Sequence, residues 1–341
     1  MGKVPGVSVL LPCCNAEDTL DDALLSLTSQ TFSDFEVIAV DDGSQDATPS
    51  ILGAWARKDR RIRVIKQSHQ GIIAALNTGL GACQAKIIAR MDSDDRSHPE
   101  RFARQVAYLN AYPETDVLAC QVAGFPAGQV RQGFKIYIDW QNSLLTNEDI
   151  RREIFVESPF AHPSVAIRRE WLERAGGYQE HGWAEDYDLW LRLYLSGASF
   201  AKIPEVLLEW REHPDRLTRR DSRYSVENFL RAKAYYLAQG PLRGRETIIL
   251  WGAGMMGRRL SKHLLQLEIP LRAFLDIDPR KIGRTRRGLP ILSPEELPAL
   301  WESSPNPILL AAVGARGARQ LIRQRLNSMG LCEGSDWWGV A

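Results

Sequence analysis

Short apolar runs alternate with stretches of helical spacing from the start of the chain. Residues 7–11 form a continuous apolar run, the pattern of a strand covered on both faces. Over 18–30, Leu20, Ala23, Leu24 and Leu27 fall three and four apart, which predicts a helix. The pairing repeats: strand 35–40 and helix 48–55, strand 62–65 and helix 72–79, then strand 87–91. Such alternation predicts an α/β fold built on a parallel, doubly wound sheet. Ligands on sheets of this kind bind beyond the carboxyl ends of the strands. Three of these strands run into polar clusters, Pro12 to Asn15, Asp41 to Ser44 and Asp92 to Asp95, so the clusters are expected to meet at one edge.

From about residue 110 to 160 the pattern weakens, and irregular strands with one helix over 148–155 are expected. Helices follow over 171–175, closed by Gly176 and Gly177, over 186–196 and over 224–239. Gln239, Gly240 and Pro241 break the last of these, which sets a boundary between a domain of residues 1–240 and one of residues 245–341. The second begins afresh with a strand over 247–251, a loop bearing Gly252, Gly254 and Gly257, and a helix to about 267. Strands over 273–275 and 308–313 and a helix over 315–329 complete a small Rossmann-like unit.

The formal net charge of the 341-residue chain is +1, so no bulk charge draws it to nucleic acid or membrane, and no nucleic-acid partner is expected. The balance is uneven: residues 245–341 carry a net +5 and the remainder −4. Arg280, Lys281, Arg284, Arg286 and Arg287 supply much of the excess, as a solvated loop or as a patch for an anionic ligand or membrane. The five cysteines include the adjacent Cys13 and Cys14 and no CxxC spacing, which fits a reducing compartment better than disulfides or zinc. The first apolar run is too short for a signal segment, and no stretch approaches the ~18 apolar residues of a spanning helix. A cytoplasmic protein is expected, with peripheral association at the inner face of the membrane left open.

Asp92, Asp94 and Asp95 directly follow a buried strand. They repel one another, and each loses solvation if the loop packs. A divalent cation such as Mg²⁺ or Mn²⁺, with its preference for hard oxygens and phosphate, would offset that charge. A solvated loop with Asp95 as a helix cap is the alternative. Asp41 and Asp42 repeat the theme beside Gly43, either to hold a base or ribose or to form an Asx turn and cap. Glu185 and Asp186 open a helix. A semi-buried carboxylate there suits a general base, and negative charge at a helix N-terminus is favourable in its own right.

In order and spacing, the segments VSVLLPCCN, SLTSQTFSDFEVIAVDDGSQDAT, GIIAALNTGL, ARMDSDD, SPFAHPSVAIRRE, AGGY, AEDYDLWLRL and WREHPDRL resemble the family 2 glycosyltransferases of GT-A fold, over roughly residues 7–217. The resemblance implies a mostly inverting, metal-dependent enzyme that moves a sugar from a nucleotide-sugar donor, most often a UDP-sugar, to a hydroxyl of a glycan or lipid-linked acceptor, in surface polysaccharide synthesis. It implies roles by position. Pro12, Asn15, Asp41, Asp42, Asn77, Asp92 and Arg211 would serve the donor, with Asp94, Asp95 and His213 on the Mn²⁺ or Mg²⁺. Asp186 would be the catalytic base, and Glu185 and Trp190 would face the acceptor, Trp190 as a sugar-stacking surface; His162 either lines the acceptor pocket or is a core histidine. Cys13 and Cys14 depart from the small residue and tyrosine common at those places.

The Gly252, Gly254, Gly257 loop follows a strand, opens a helix and is followed about 20 residues later by Asp276, the context of a dinucleotide fingerprint. NAD(P), another nucleotide, or a purely structural role remain open for it, since the unit is short and lacks a second mononucleotide half. The alternatives for the whole chain are a non-catalytic nucleotide-sugar-binding or scaffold protein and an NAD-dependent sugar-modifying enzyme. A nucleotidyltransferase would want a Gly-rich, basic loop after the first strand, and LLPCCNAED has none.

Overall fold

The computed structural model describes residues 4–341. Contacts divide the chain into two compact units. The first comprises residues up to 150 with 158–181 and 185–219; the second comprises 151–157, 182–184 and 220–341.

The first unit carries an eight-stranded sheet of β1 (Val7–Cys13), β2 (Phe35–Asp42), β3 (Ile62–Gln67), β4 (Ile87–Arg90), β5 (Arg96–Ser97), β6 (Val117–Phe125), β7 (Ala166–Arg168) and β8 (Phe200–Arg211), in the order β3-β2-β1-β4-β7-β6-β8-β5. The first four strands are parallel, joined by helices Leu20–Thr28, Thr48–Lys58 and Ile72–Ala82. Every residue of β1 and β2 is buried, as continuous apolar runs require of a sheet covered on both faces. The parallel order expected from the alternation holds through β4, and beyond it the sheet is mixed: β7 runs antiparallel to β4 and β6, and β5 antiparallel to β8. β7 has three residues and β5 two, too short to show any period in the sequence. Gly79 lies so close to β1 that a Cβ there would meet Leu10 Cδ1 at 2.3 Å, which keeps its helix tight on the sheet that orients the strand ends.

The second unit holds a six-stranded sheet of β9 (Thr247–Trp251), β10 (Leu271–Leu275), β11 (Thr285–Arg286), β12 (Leu289–Leu292), β13 (Pro307–Ala311) and β14 (Trp337–Gly339), in the order β11-β12-β10-β9-β13-β14. All pairings but β11 with β12 are parallel. Helix Val226–Gln239, placed N-terminal to the expected boundary at 240, groups by its contacts with this unit. Trp337 and Trp338 are core residues. Among the described residues no helix is long and apolar enough to cross a membrane.

Candidate active site

The three polar strand ends meet. Asn15 takes a left-handed φ of 48°, which asparagine tolerates better than most residues. From there its Oδ1 accepts from the Gln45 N–H at 2.8 Å, and its own N–H donates to Ser44 Oγ. The loop after β1 is thus laced to the loop after β2. Thr19 Oγ1 donates to the Ser93 carbonyl at 3.0 Å and ties the first loop to the acidic one. Pro12 is buried within β1 beside Val40. Asp41 closes its own turn by accepting from the Ser44 N–H.

Asp42 is buried and bonded on both oxygens. Oδ1 accepts from Gln67 Nε2 and the Gln70 N–H, while Oδ2 accepts from the Gly71 N–H and faces His69 Nδ1 at 2.9 Å. Burial pushes its carboxyl up, and the bonds from Gln70, Gln67 and Gly71 outweigh that, so it sits below the ordinary aspartate value. Cys14, Asp42 and His69 bring ligand atoms within 4.8 Å of one another. His69, Gln67 and Gln70 were not singled out from the sequence, because nothing in the 67–71 loop marks it as the clamp on Asp42.

The acidic loop is held from the end of β8. The Arg211 N–H donates to Asp95 Oδ1 at 2.8 Å, Arg211 Nε donates to the Asp94 carbonyl, and His213 Nε2 sits 2.9 Å from Asp94 Oδ2. Oxygens of Asp92, Asp94 and Asp95 lie within 4.8 Å of one another. Asp95 is 1% exposed, and its Oδ2 has no partner among the described residues. Burial, with Asp94 and Asp92 beside it, pushes Asp95 well above the ordinary value. Burial also raises Asp92 against the pull of Arg90. For Asp94 burial is outweighed by the bond to His213 and the charge of Arg216, and its carboxyl is lowered. An orphaned buried carboxylate oxygen beside two more carboxylates is the donor set of a hard divalent cation. Arg211 itself is spent differently from the expectation. Its guanidinium binds Asp22 and the loop carbonyl and stacks on Phe125, so it braces the loop instead of projecting toward a diphosphate.

Arg90 joins the two halves of the site. It is 3% exposed, its Nη1 lies 2.5 Å from Asp92 Oδ1, and its charge also bears on Glu185, Asp186, Tyr178 and His162. A cation in the apolar run of residues 87–91, two residues before Asp92, was the signal available for it. Asp186 is half-buried at the start of helix Glu185–Leu195, with Oδ1 accepting from the Tyr187 N–H at 2.7 Å. Burial and the neighbouring Glu185 push its carboxyl up to about 8. Glu185 is buried, its Oε1 4.0 Å from His162 Nδ1. His162 pairs through Nε2 with Tyr178 at 2.9 Å, and burial with Arg90 nearby holds it well below the usual histidine range, hence neutral.

One position is corrected. Trp190 is 0% exposed, packed edge-on against Phe160 and His162, and offers no face to a sugar. Asn77 bonds the backbone of Tyr178 in both directions, Nδ2 to its carbonyl and Oδ1 from its N–H, which fixes the turn after Gly177. Replacing Trp190 by alanine is expected to cost about 3–5 kcal/mol through the cavity it leaves. Urea denaturation followed by fluorescence measures this, and a loss below about 1 kcal/mol would return Trp190 to the surface.

In the second unit a Cβ on Gly257 would stand 1.8 Å from the Gly252 carbonyl, so glycine lets the helix close on its loop. Asp276 accepts from the Ala253 N–H, the Asp278 N–H and Lys281 Nζ. These bonds lock the glycine loop and leave the carboxylate little capacity for the expected ribose contact.

The sequence profile of glycosyl transferase family 2 matches residues 8–176. The amylovoran biosynthesis glycosyltransferase AmsE of Erwinia amylovora is 33% identical over 217 residues, 62% of this chain and 79% of the relative. The UDP-Gal:alpha-D-GlcNAc-diphosphoundecaprenol beta-1,3-galactosyltransferase of Escherichia coli is 28% identical over 64% of this chain and 78% of its own length. Among solved structures, S. aureus TarS 1-349 in complex with UDP-GlcNAc matches 76% of this chain and 71% of its own at a TM-score of 0.57 and 21% identity. The mannosyltransferase PcManGT from Pyrobaculum calidifontis in complex with GDP-Man and Mn2+ matches 70% and 63% at 0.50 and 21%. These two share the fold. The first unit is a GT-A domain, and the chain belongs to glycosyl transferase family 2.

Proposed function

We propose that the chain is an inverting, metal-dependent glycosyltransferase that takes its sugar from a UDP-sugar and places it on a hydroxyl of a glycan or lipid-linked acceptor in surface polysaccharide synthesis. The observation that carries this is the joining, through Arg90, of a cation-ready carboxylate loop to a half-buried carboxylate with a raised pKa. The names of the bacterial relatives support the acceptor class, one of them acting on a diphosphoundecaprenol-linked sugar. An acceptor of that kind also supports work at the inner membrane face. The transferase domain is proposed to span residues 1–240, with a Rossmann-like domain over 245–341.

Asp94, Asp95 and His213 would hold Mg²⁺ or Mn²⁺, with Asp92 paired to Arg90 at the donor's side. Once bound, the ion would offset charge building on the departing diphosphate. Arg211 and Thr19 keep the loop rigid, so its carboxylates need not reorganise. Asp41, Asp42 and Asn15 shape the shelf for the nucleoside. Asp186 accepts the proton of the acceptor hydroxyl as that oxygen bonds to the anomeric carbon and the bond to the diphosphate breaks. One displacement inverts the centre, and no enzyme nucleophile is required. Calorimetric titration of UDP is expected to show binding with Mn²⁺ that weakens by about tenfold or more in EDTA. Equal affinity in both would remove the metal from the proposal.

A further inference from the structure

The second unit encloses a cavity of about 900 Å³ at the carboxyl ends of its central strands, within the size range of small-molecule sites. β10 and β13 flank β9 on opposite sides, which makes this the topological switch point of a parallel sheet. Gly252 and Gly254 after β9, Asp276 and Ile277 after β10 and Gly314 after β13 all line it.

Three features of the lining are unspent. The first is backbone donors. The Gly252 and Ala253 N–H groups are bonded, to the Leu275 carbonyl and Asp276, whereas those of Gly254 and Met255 have no acceptor among the described residues. They stand at the start of the twelve-residue helix Met255–Gln266, held in place by the close Gly257–Gly252 contact. The second is space. A Cβ built on Gly254 would meet nothing within 4 Å, so the loop's exposed edge lies open to a ligand. The third is misplaced apolar surface. Ile277 is 78% and Leu321 68% exposed, the two most exposed large hydrophobic residues described, and Met255 is 58% exposed; all three line this one cavity. Lys281 and Arg325 also line it, paired with Asp276 and Glu295 respectively, and Glu157 and Asp278 stand in the same lining, so the side chains leave no excess charge and the recognition falls to the backbone.

Free N–H groups at a helix start and a glycine edge that opens into the cavity suit a phosphate. An apolar rim left in water selects a flat, weakly polar group joined to it. We propose that the cavity is a second nucleotide site, taking a nucleoside phosphate with its phosphate on the Gly254 and Met255 N–H groups and its base on the apolar rim. The site is distinct from the carboxylate loop of the first unit and does not depend on the transferase reading.

The test is calorimetric titration of the full chain in EDTA with ADP, UDP and NAD⁺ separately. The variants are Asp42→Ala, Gly254→Asp and Ile277→Asp. Aspartate is a good helix cap, and φ at Gly254 is an ordinary −79°, so Gly254→Asp is expected to fold while setting a carboxylate where the phosphate would lie. Ile277 is exposed, so its replacement spares the fold. At least one probe is expected to bind with similar affinity to wild type and Asp42→Ala, and at least tenfold more weakly to both Gly254→Asp and Ile277→Asp. No binding of any probe at millimolar concentration, or binding lost in Asp42→Ala and unchanged in the other two, would overturn the proposal.

Discussion

Asp186→Asn is expected to lower kcat by roughly 10²–10⁴-fold while leaving donor affinity nearly unchanged, the range general bases contribute. Asparagine keeps the size of the side chain and removes only the basic lone pair. The wild-type pH profile carries the same signature. Burial and Glu185 hold the proton on Asp186 up to about 8, and the base works only when that proton is gone. Activity should therefore rise with pH and level off above about 8, and the rising limb should vanish in Asp186→Asn. Because the folded pKa of about 8 lies above the ordinary aspartate value, the ionised carboxylate also costs folding free energy, a cost that grows as pH rises from the ordinary value to about 8. An Asp186→Asn enzyme with near-wild-type kcat and an unchanged profile would place the base elsewhere.

Asp94→Ala is expected to lower turnover by roughly 10²–10³-fold and to abolish its response to added Mn²⁺, because it removes a ligand and the anchor of His213 together. Its effect on the metal-free fold should run the other way. Asp94 contributes to the raised values of Asp92 and Asp95, so deleting it relieves repulsion in a buried cluster. A metal-free melting temperature at or above wild type, beside a lost metal response, separates ligation from folding. A variant that simply unfolds would show Asp94 to be structural.

The first four strands were legible because each is a short, unbroken apolar run ending in a polar cluster, and the clusters meet as expected. β6 and β8 were not. β8 mixes Lys202, Pro204, Glu205 and Glu209 with its apolar residues, and its pairing with β6 shifts register between Cys120 and Val122, so no period of two survives. Lys202 reads as a surface residue yet is 4% exposed, its ammonium held by the carbonyls of Gln141 and Pro159. Trp190 was misread for a related reason. Helix Glu185–Leu195 buries Glu185, Tyr187, Asp188, Leu189, Trp190, Leu191 and Leu193, which leaves no polar stripe to say which face meets a ligand. Spacing placed Trp190 one turn from Asp186, but the interior claims that turn. The roles of Arg211 and Asn77 depended on partners more than 100 residues distant, Asp94 and Tyr178, which no local pattern reveals.

Metal-dependent use of a nucleotide-sugar donor is read from release of nucleoside diphosphate from a panel of UDP-, GDP- and dTDP-sugars, with Mn²⁺ and with EDTA, for wild type and Asp94→Ala. Slow hydrolysis of one donor, most readily a UDP-sugar, is expected with Mn²⁺ and is lost both in EDTA and in Asp94→Ala. Release that persists undiminished in EDTA and in Asp94→Ala, or no release and no binding of any donor by the folded protein, would contradict it.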